Sequence, residues 1–180
     1  MHPKVQEIAD HFGVVLSSRL YPRTEGYDDS VQFLRYDGKS IATGGANDHD
    51  VLHEIGHWVA SFSEQRDLPE HGLGTPSYGT PIGYVRGRED ITIPAVVDEE
   101  EAEVQEYMTW FLCILWGQAY GIPSVLRLYP GYGDTWEMYL DRKLNKECFY
   151  TTEEEENHDR KVWTALIRLH QRELLSPPIA

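Results

Sequence analysis

Two histidines one helical turn apart are the residues of this sequence best suited to chemistry. The segment HDVLHEIGHWVA, residues 49–60, places His53 and His57 four positions apart, with Glu54 directly after the first. On an α-helix, positions i and i+4 lie one above the other on a single face, so both imidazoles can reach one metal ion. The sequence therefore predicts a metal site on this segment.

The flanks of this segment predict the helix that the site needs. Asn47 or Asp48 can cap its N-terminus, and acidic side chains suit the first turn. Gly56 is a poor helix former, which indicates that another group approaches closely there. His49 lies one turn before His53 on the same face, although a solvated first-turn position suits it better. The alternative to a metal site is a helix whose partly buried histidines hydrogen-bond to their neighbours.

A second predicted helix offers a carboxylate to complete the site. In residues 96–116, apolar side chains define one inward stripe: Val97, Val104, Met108, Phe111 and Leu115. Glu101 falls in the only gap of this stripe, so the periodicity predicts that Glu101 points inward as the third metal ligand. Glu103 lies about 200° further around the helix at roughly 100° per residue, toward solvent, with Glu99 and Glu106 near it.

If Glu101 is buried, its carboxylate needs a partner, either a metal ion or an arginine. An unpaired carboxylate in the interior costs several kcal/mol, and a metal ion offsets that cost. The alternative is an ion pair between Glu101 and an arginine, because buried acids are paired in either case. Gln105, one turn after Glu101, is placed to hydrogen-bond this carboxylate or a bound substrate.

Composition limits the remaining possibilities. The chain has 180 residues, of which 41% are hydrophobic, so we expect one catalytic domain over residues 1–180. No apolar run approaches the roughly 20 residues of a membrane span, and the first residues lack a secretory signal, so we expect a cytoplasmic protein without a membrane partner. A net charge of −14 disfavours nucleic acid as a partner. Cys113 and Cys148 are too far apart for a close zinc or redox pair.

The predicted elements form an α+β domain with a helical metal-binding core. Short segments before the histidine helix indicate a small antiparallel sheet, with turns such as YDGK between them. The predicted elements are a helix at 3–12, strands within 14–20, 30–36 and 39–43, and helices from about His49, from Val97 to Trp116 and from about Thr152 to Leu175. Thr152 and Glu155 fit a capping box for the last helix.

Residues 65–95 are predicted to form a loop that covers the metal site. They are rich in Gly and Pro, and a long loop in a compact domain is usually functional. The candidates in this loop for contact with substrate are His71, Tyr78, Tyr84, Arg86 and Arg88, for which simple packing or solvation is the alternative. Outside the loop, Gln105 and His49 are the candidates to support the ligands.

Three segments of the sequence resemble the elongation factor P hydroxylases: SIATGGANDHDVLHEIGHW, QRDLPEHGLG and EAEVQEYMTWFLC. In that family an HExxHW helix is followed by a glycine-bearing loop and by a Glu-x-x-x-Gln helix that runs into a Trp and a Cys. The resemblance covers about residues 30–116. It implies a non-heme Fe(II) site and hydroxylation of a modified lysine on a protein substrate.

The same resemblance implies roles for individual residues. These are metal ligation by His53, His57 and Glu101, an acidic position beside the metal for Glu54, and the family glutamine for Gln105. The spacing between this glutamine and WFLC is one residue longer than in the family. An alignment of either Glu101 or Glu103 with the family ligand therefore stays open.

The residues HEIGH followed by EEEAEVQEYM are also similar to the ImmA/IrrE type of zinc peptidase. That similarity implies a zinc-bound water whose proton is accepted by Glu54 during attack on a peptide carbonyl. Two histidines and a carboxylate suit Fe(II) and Zn(II) alike. A third interpretation is a non-enzymatic acidic adaptor or inhibitor with a structural metal site. The sequence thus predicts one divalent metal ion, with Fe(II) favoured over Zn(II), and a protein or peptide as the partner.

Overall fold

A computed structural model describes residues 1–20, 35–73, 93–122 and 152–179 of the chain. These residues contain four α-helices and two strands: α1 (Pro3–Phe12), β1 (Leu16–Leu20), β2 (Ile41–Gly44), α2 (Asp48–Ala60), α3 (Glu99–Tyr120) and α4 (Thr152–Gln171). Two short 3-10 turns, Ser63–Gln65 and Glu70–Gly72, follow α2. The mixed α and β content agrees with the predicted fold class.

The helices begin and end close to their predicted bounds because their caps are local. The Asn47 side chain accepts a hydrogen bond from the Asp50 amide at 2.8 Å and so caps α2. In the same way Asp98 caps α3 through the amide of Glu101. α3 continues past Trp116, its predicted end, and stops at Gly121, whose φ of 64° is the left-handed conformation typical of a helix C-terminus.

The prediction of an antiparallel sheet is wrong, because β1 and β2 pair in parallel. Leu16 lies opposite Ile41 and Ser17 opposite Ala42. Parallel strands require a crossover connection, so a tight turn between neighbouring segments says nothing about this pairing. The YDGK turn itself is present, since Tyr36 forms an antiparallel bridge to Ile41 across it. The predicted strand at 30–36 lies outside the described residues up to position 34.

α3 lies at the centre of the described fold, between α2 and α4. Its side chains are buried on nearly every side from Val104 to Gly117. The largest fully buried hydrophobic side chains are Ile8, Ile41, Leu52, Ile55, Ile93, Met108, Leu112, Trp116 and Leu169. Acidic residues in the first turns of α3 face α4, where Glu100 pairs with Arg160 and Glu103 with Lys161. α3 therefore presents one face to α2 and another to α4.

α2 and α3 come into direct contact at Gly56. A Cβ atom at this position would lie 2.8 Å from Cγ2 of Thr109 and 3.3 Å from its Cα. Only glycine leaves room for such an approach, which confirms the expectation that Gly56 marks a close contact. The consequence is that the face of α2 bearing the histidines lies directly against α3.

Two further expectations concern the cysteines and the membrane. Cys113 is a free thiol buried in α3, and Cys148 lies outside the described residues. Among the described helices, none combines the length and apolar character needed to cross a membrane.

Candidate metal centre

Three side chains from α2 and α3 converge at one point: His53, His57 and Glu106. Their potential ligand atoms all lie within 4.8 Å of one another. Nε2 of His57 is 3.0 Å from Nε2 of His53 and 3.2 Å from Oε2 of Glu106. Nε2 of His53 is 3.5 Å from Oε1 of Glu106. One ion with bonds of about 2.0–2.2 Å could be held by all three atoms.

Glu101, the predicted third ligand, does not belong to this cluster. Its two carboxylate oxygens accept hydrogen bonds from Arg168 at 2.5 and 2.7 Å, which is the ion pair that the sequence left as the alternative. Glu106 lies about 140° away from Glu101 around the helix, at roughly 100° per residue, and faces α2 rather than α4. Its side chain is 24% exposed and points at the histidines, whereas the periodicity placed it near solvent.

Apolar periodicity points to Glu101 only when a helix has a single buried face. α3 has two, one against α2 and one against α4, so burial alone does not indicate a ligand. A different signal would have reduced the candidates to Glu103 and Glu106. The acids at positions 99–101 suit the positive end of the helix dipole, whereas Glu106 lies beyond the first turn and has no such explanation. Glu103, the other candidate, pairs with Lys161 on α4.

Burial and mutual charge set the protonation of the three residues. Burial lowers the pKa of His53 to about 3, even though Glu106 acts in the opposite direction, so its imidazole is neutral. Burial alone would raise the pKa of Glu106, but His57 and His53 outweigh it and lower the pKa to about 2. Burial lowers the pKa of His57, but the charge and hydrogen bond of Glu106 together with the charges of Glu54 and Glu70 outweigh burial, so the net pKa is raised. The cluster thus has an ionised Glu106, a neutral His53, and a His57 that retains its proton to a higher pH than a free histidine does.

Neighbouring side chains orient the two histidines. Oγ1 of Thr109 lies 3.4 Å from Nδ1 of His57 and donates its own proton to the carbonyl of Gln105 at 2.9 Å. It can therefore accept a hydrogen bond from Nδ1–H, which leaves the Nε2 lone pair directed at the centre. The Trp110 ring lies 4.6 Å from the His53 ring between centroids and forms one wall of the centre.

Glu54 lies beside the centre with Arg35 and Glu70. The Glu54 side chain is 2% exposed, and its Oε1 is 3.4 Å from Nη1 of Arg35. Glu70 accepts a hydrogen bond from the Tyr36 amide at 2.8 Å and another from the Arg35 amide. Burial raises the pKa of Glu70 to about 8, with repulsion from Glu54 adding to the rise. Glu70 therefore retains a proton near neutral pH.

His71, a predicted substrate contact, lies next to the centre. Its ring stacks on Tyr36 at 4.3 Å and lies 6.0 Å from the ring of His57. The residue is 1% exposed, its backbone has a φ of 54°, and among the described residues neither ring nitrogen has a hydrogen-bond partner. A buried imidazole without partners is costly, and strained backbone conformations are common at functional sites. This placement agrees with a role in contacting a bound group.

The other predicted supporting residues have different positions. Gln105 donates to Glu101 at 3.0 Å, as the sequence predicts, and to Gln65 at 2.9 Å. Gln65 in turn donates to the carbonyl of His71 at 2.9 Å, so this buried chain of amides ties α3 to the turn that carries His71. The His49 ring is 6.4 Å from that of His53. The remaining loop candidates, Tyr78, Tyr84, Arg86 and Arg88, lie outside the described residues.

The raised pKa of Glu70 predicts how stability depends on pH. Between its ordinary pKa of 4.5 and the folded value of about 8, the folded protein holds a proton that the unfolded chain has lost. The contribution of Glu70 to the free energy of unfolding therefore falls as the pH rises through that range. Glu70→Gln keeps an oxygen for the Tyr36 amide and removes the ionisation. We expect the variant to match the wild type at pH 5 and to melt at least about 3 °C higher at pH 9.

Melting curves of both proteins from pH 5 to pH 9 measure this difference. Glu64→Gln is the matched control, because the Glu64 side chain is exposed and accepts a hydrogen bond from the neighbouring Ser63 hydroxyl. If the melting temperatures of the wild type and Glu70→Gln differed by the same amount at every pH in this range, the raised pKa of Glu70 would be contradicted.

The geometry of the centre provides two imidazoles and one ionised carboxylate on docked helices, with a buried acid alongside. Such a set could hold one divalent metal ion. Comparisons of this chain with protein-family models, curated proteins and solved structures found no match.

Proposed function

We propose that the protein is an Fe(II)-dependent hydroxylase that acts on a side chain of a protein substrate. The observation that supports this proposal is the convergence of His53, His57 and Glu106 within 4.8 Å. Two histidines and one carboxylate with open positions form the ligand set of non-heme Fe(II) oxygenases. Bound iron would supply activation of O₂ for transfer of one oxygen atom to the substrate.

The resemblance to the elongation factor P hydroxylases points to a modified lysine on a protein as the substrate. In this proposal Glu106 takes the ligand role that the resemblance assigned to Glu101. Gln105 keeps the position of the family glutamine, where it connects Glu101 to the turn around His71.

The chain's own residues would prepare the centre. His53 is neutral and Glu106 ionised, so each is already in the state that binds a cation. His57 would release its proton when a metal binds, and Thr109 would hold its ring in position. The rings of Trp110 and His71 would limit the access of water to one side of the centre.

A zinc-dependent peptidase is the second candidate, because Glu54 lies next to the histidines in the order that such enzymes use. In hydrolysis Glu54 must accept a proton from a metal-bound water. Hydroxylation is the first choice because the resemblance to the hydroxylases extends past the HExxH motif to Trp58, to the glycine-bearing loop and to the WFLC segment of α3.

Mass measurement on a candidate substrate tests the proposal. Iron-loaded and zinc-loaded protein are each incubated, with and without O₂, with elongation factor P that carries its modified lysine. We expect a gain of one oxygen atom only in the aerobic iron sample. Cleavage by the zinc form without O₂ would instead establish the peptidase, and Glu54→Gln should then lower cleavage by about 10²–10⁴-fold while the metal stays bound. An unchanged substrate in every sample would favour the non-enzymatic adaptor.

A further inference from the structure

We propose that a pocket at the C-terminal end of α2 binds a carboxylate or phosphate group carried on a small organic body. The cavity has a volume of about 360 Å³, and three arginines line it: Arg66, Arg168 and Arg172. None of the metal-centre residues His53, His57 and Glu106 lines it. The proposal is therefore independent of the reaction at the metal centre.

Two of the arginines are held in place by the backbone of α2. Arg172 donates to the carbonyl of Ala60 at 2.8 Å and also to that of Val59. Arg66 donates from Nε to the carbonyl of Trp58 at 3.1 Å, and its guanidinium lies 4.1 Å from the centroid of the Trp58 ring. The last carbonyls of a helix are unpaired within it and carry partial negative charge, so they fix guanidinium groups well.

These contacts leave hydrogen-bond donors available to the pocket. A guanidinium carries five N–H groups, of which Arg66 uses its Nε–H and Arg172 uses its two terminal nitrogens for backbone carbonyls. Within the described parts of the chain, neither arginine pairs with a carboxylate. Glu101 neutralises Arg168, and Glu64 accepts a hydrogen bond from Ser63. Among the described residues, two positive charges of the pocket therefore have no counter-ion.

Bringing like charges together costs energy unless an anion joins them. The pKa of Arg172 is lowered, first by burial and then by repulsion from Arg66 and Arg168. The chain as a whole has a net charge of −14, so this positive cluster is a local feature. An oxyanion in the pocket would relieve the repulsion and occupy the unused donors.

The size and walls of the cavity favour an anion with an organic part. Small-molecule pockets measure about 300–1,000 Å³, so about 360 Å³ exceeds what a bare phosphate needs. Phe62, which is 42% exposed, and Met108 provide apolar surface beside the arginines. Guanidinium forks bind carboxylates and phosphates through paired hydrogen bonds, and both anions fit this chemistry.

Isothermal titration of the protein tests the proposal with three probes: phenyl phosphate, benzoate and inorganic phosphate, all at one ionic strength set with NaCl. We expect saturable one-site binding of phenyl phosphate or benzoate, and the stronger of the two identifies the anion. Inorganic phosphate should bind more weakly because it does not contact Phe62. Absence of saturable binding for both organic probes would overturn the proposal, and equal affinity for inorganic and phenyl phosphate would overturn the role of the apolar wall.

Charge-matched variants locate the binding site. Arg66→Gln should weaken binding at least about tenfold, because it removes a charged hydrogen-bond donor from the pocket. Arg160→Gln is the control, since it removes the same charge from an exposed position of α4. Equal weakening by both variants, or no weakening by Arg66→Gln, would contradict the site. If Arg66→Gln is not folded by circular dichroism, Arg66→Lys keeps the charge without the fork and should still bind more weakly than the wild type; wild-type affinity would contradict the site.

Discussion

The Glu106→Gln variant is expected to lose metal affinity by more than about 100-fold, whereas Glu101→Gln is expected to keep the metal. Residues that only orient a ligand change affinity by about 10–100-fold, so removal of a ligand's charge should exceed that range. Glu106 lies 3.2 Å from His57 and 3.5 Å from His53, while Glu101 is engaged by Arg168. The two substitutions are chemically identical and lie on the same helix, so each controls for the other.

Competition with a chromophoric chelator measures the affinity of each variant for Fe(II) without oxygen and for Zn(II). His53→Ala and His57→Ala should behave like Glu106→Gln, because each removes one of the three converging atoms. The reverse result, in which Glu101→Gln loses the metal and Glu106→Gln keeps it, would show that α3 has a different register.

Gly56→Ala should destabilise the protein by about 1–3 kcal/mol and also weaken metal binding. In an exposed helix the same change stabilises by roughly 0.5–1 kcal/mol, because alanine is the better helix former. Here the new methyl group would lie 2.8 Å from Cγ2 of Thr109 and 3.3 Å from its backbone, which overpacks the contact between α2 and α3. The sign of the effect therefore reports how closely the two ligand-bearing helices are docked.

Urea unfolding and the chelator competition measure both effects of this substitution. The matched control adds Thr109→Ser, which removes Cγ2 but keeps the hydroxyl near His57. We expect this second change to recover part of the lost stability, since the backbone of Thr109 still lies close. A Gly56→Ala protein more stable than the wild type would contradict the close contact.

The parts of this structure that depend on nearby residues could be predicted from the sequence. The four helices, the proximity of the His53 and His57 side chains and the close approach at Gly56 follow from capping, from helical spacing and from a poor helix former within an otherwise regular helix. Each of these signals is read within a few positions of the residue concerned. The orientation of the sheet is not of this kind, because parallel pairing of β1 with β2 depends on the path of the chain between them.

The third ligand could not be predicted from α3 alone because its orientation depends on two neighbours. Glu101 and its partner Arg168 are 67 residues apart, and no local rule pairs them. In the folded protein Arg168 neutralises Glu101, and the face of α3 that carries Glu106 lies against α2. When a helix packs on both sides, a single apolar stripe does not show which of its buried faces carries the functional residue.

The docking of α2 on α3 also has a consequence for the rates of folding. Thr109 and His57 are 52 residues apart, so the carboxylate on α3 reaches the histidine pair only after a long loop has closed. A metal held by both helices must give up Glu106 before they separate, and we expect this long-range contact to form late in folding. Interactions made after the folding barrier act on the unfolding rate and leave the folding rate almost unchanged. Bound metal would therefore lengthen the lifetime of the folded state by slowing unfolding, not by speeding folding.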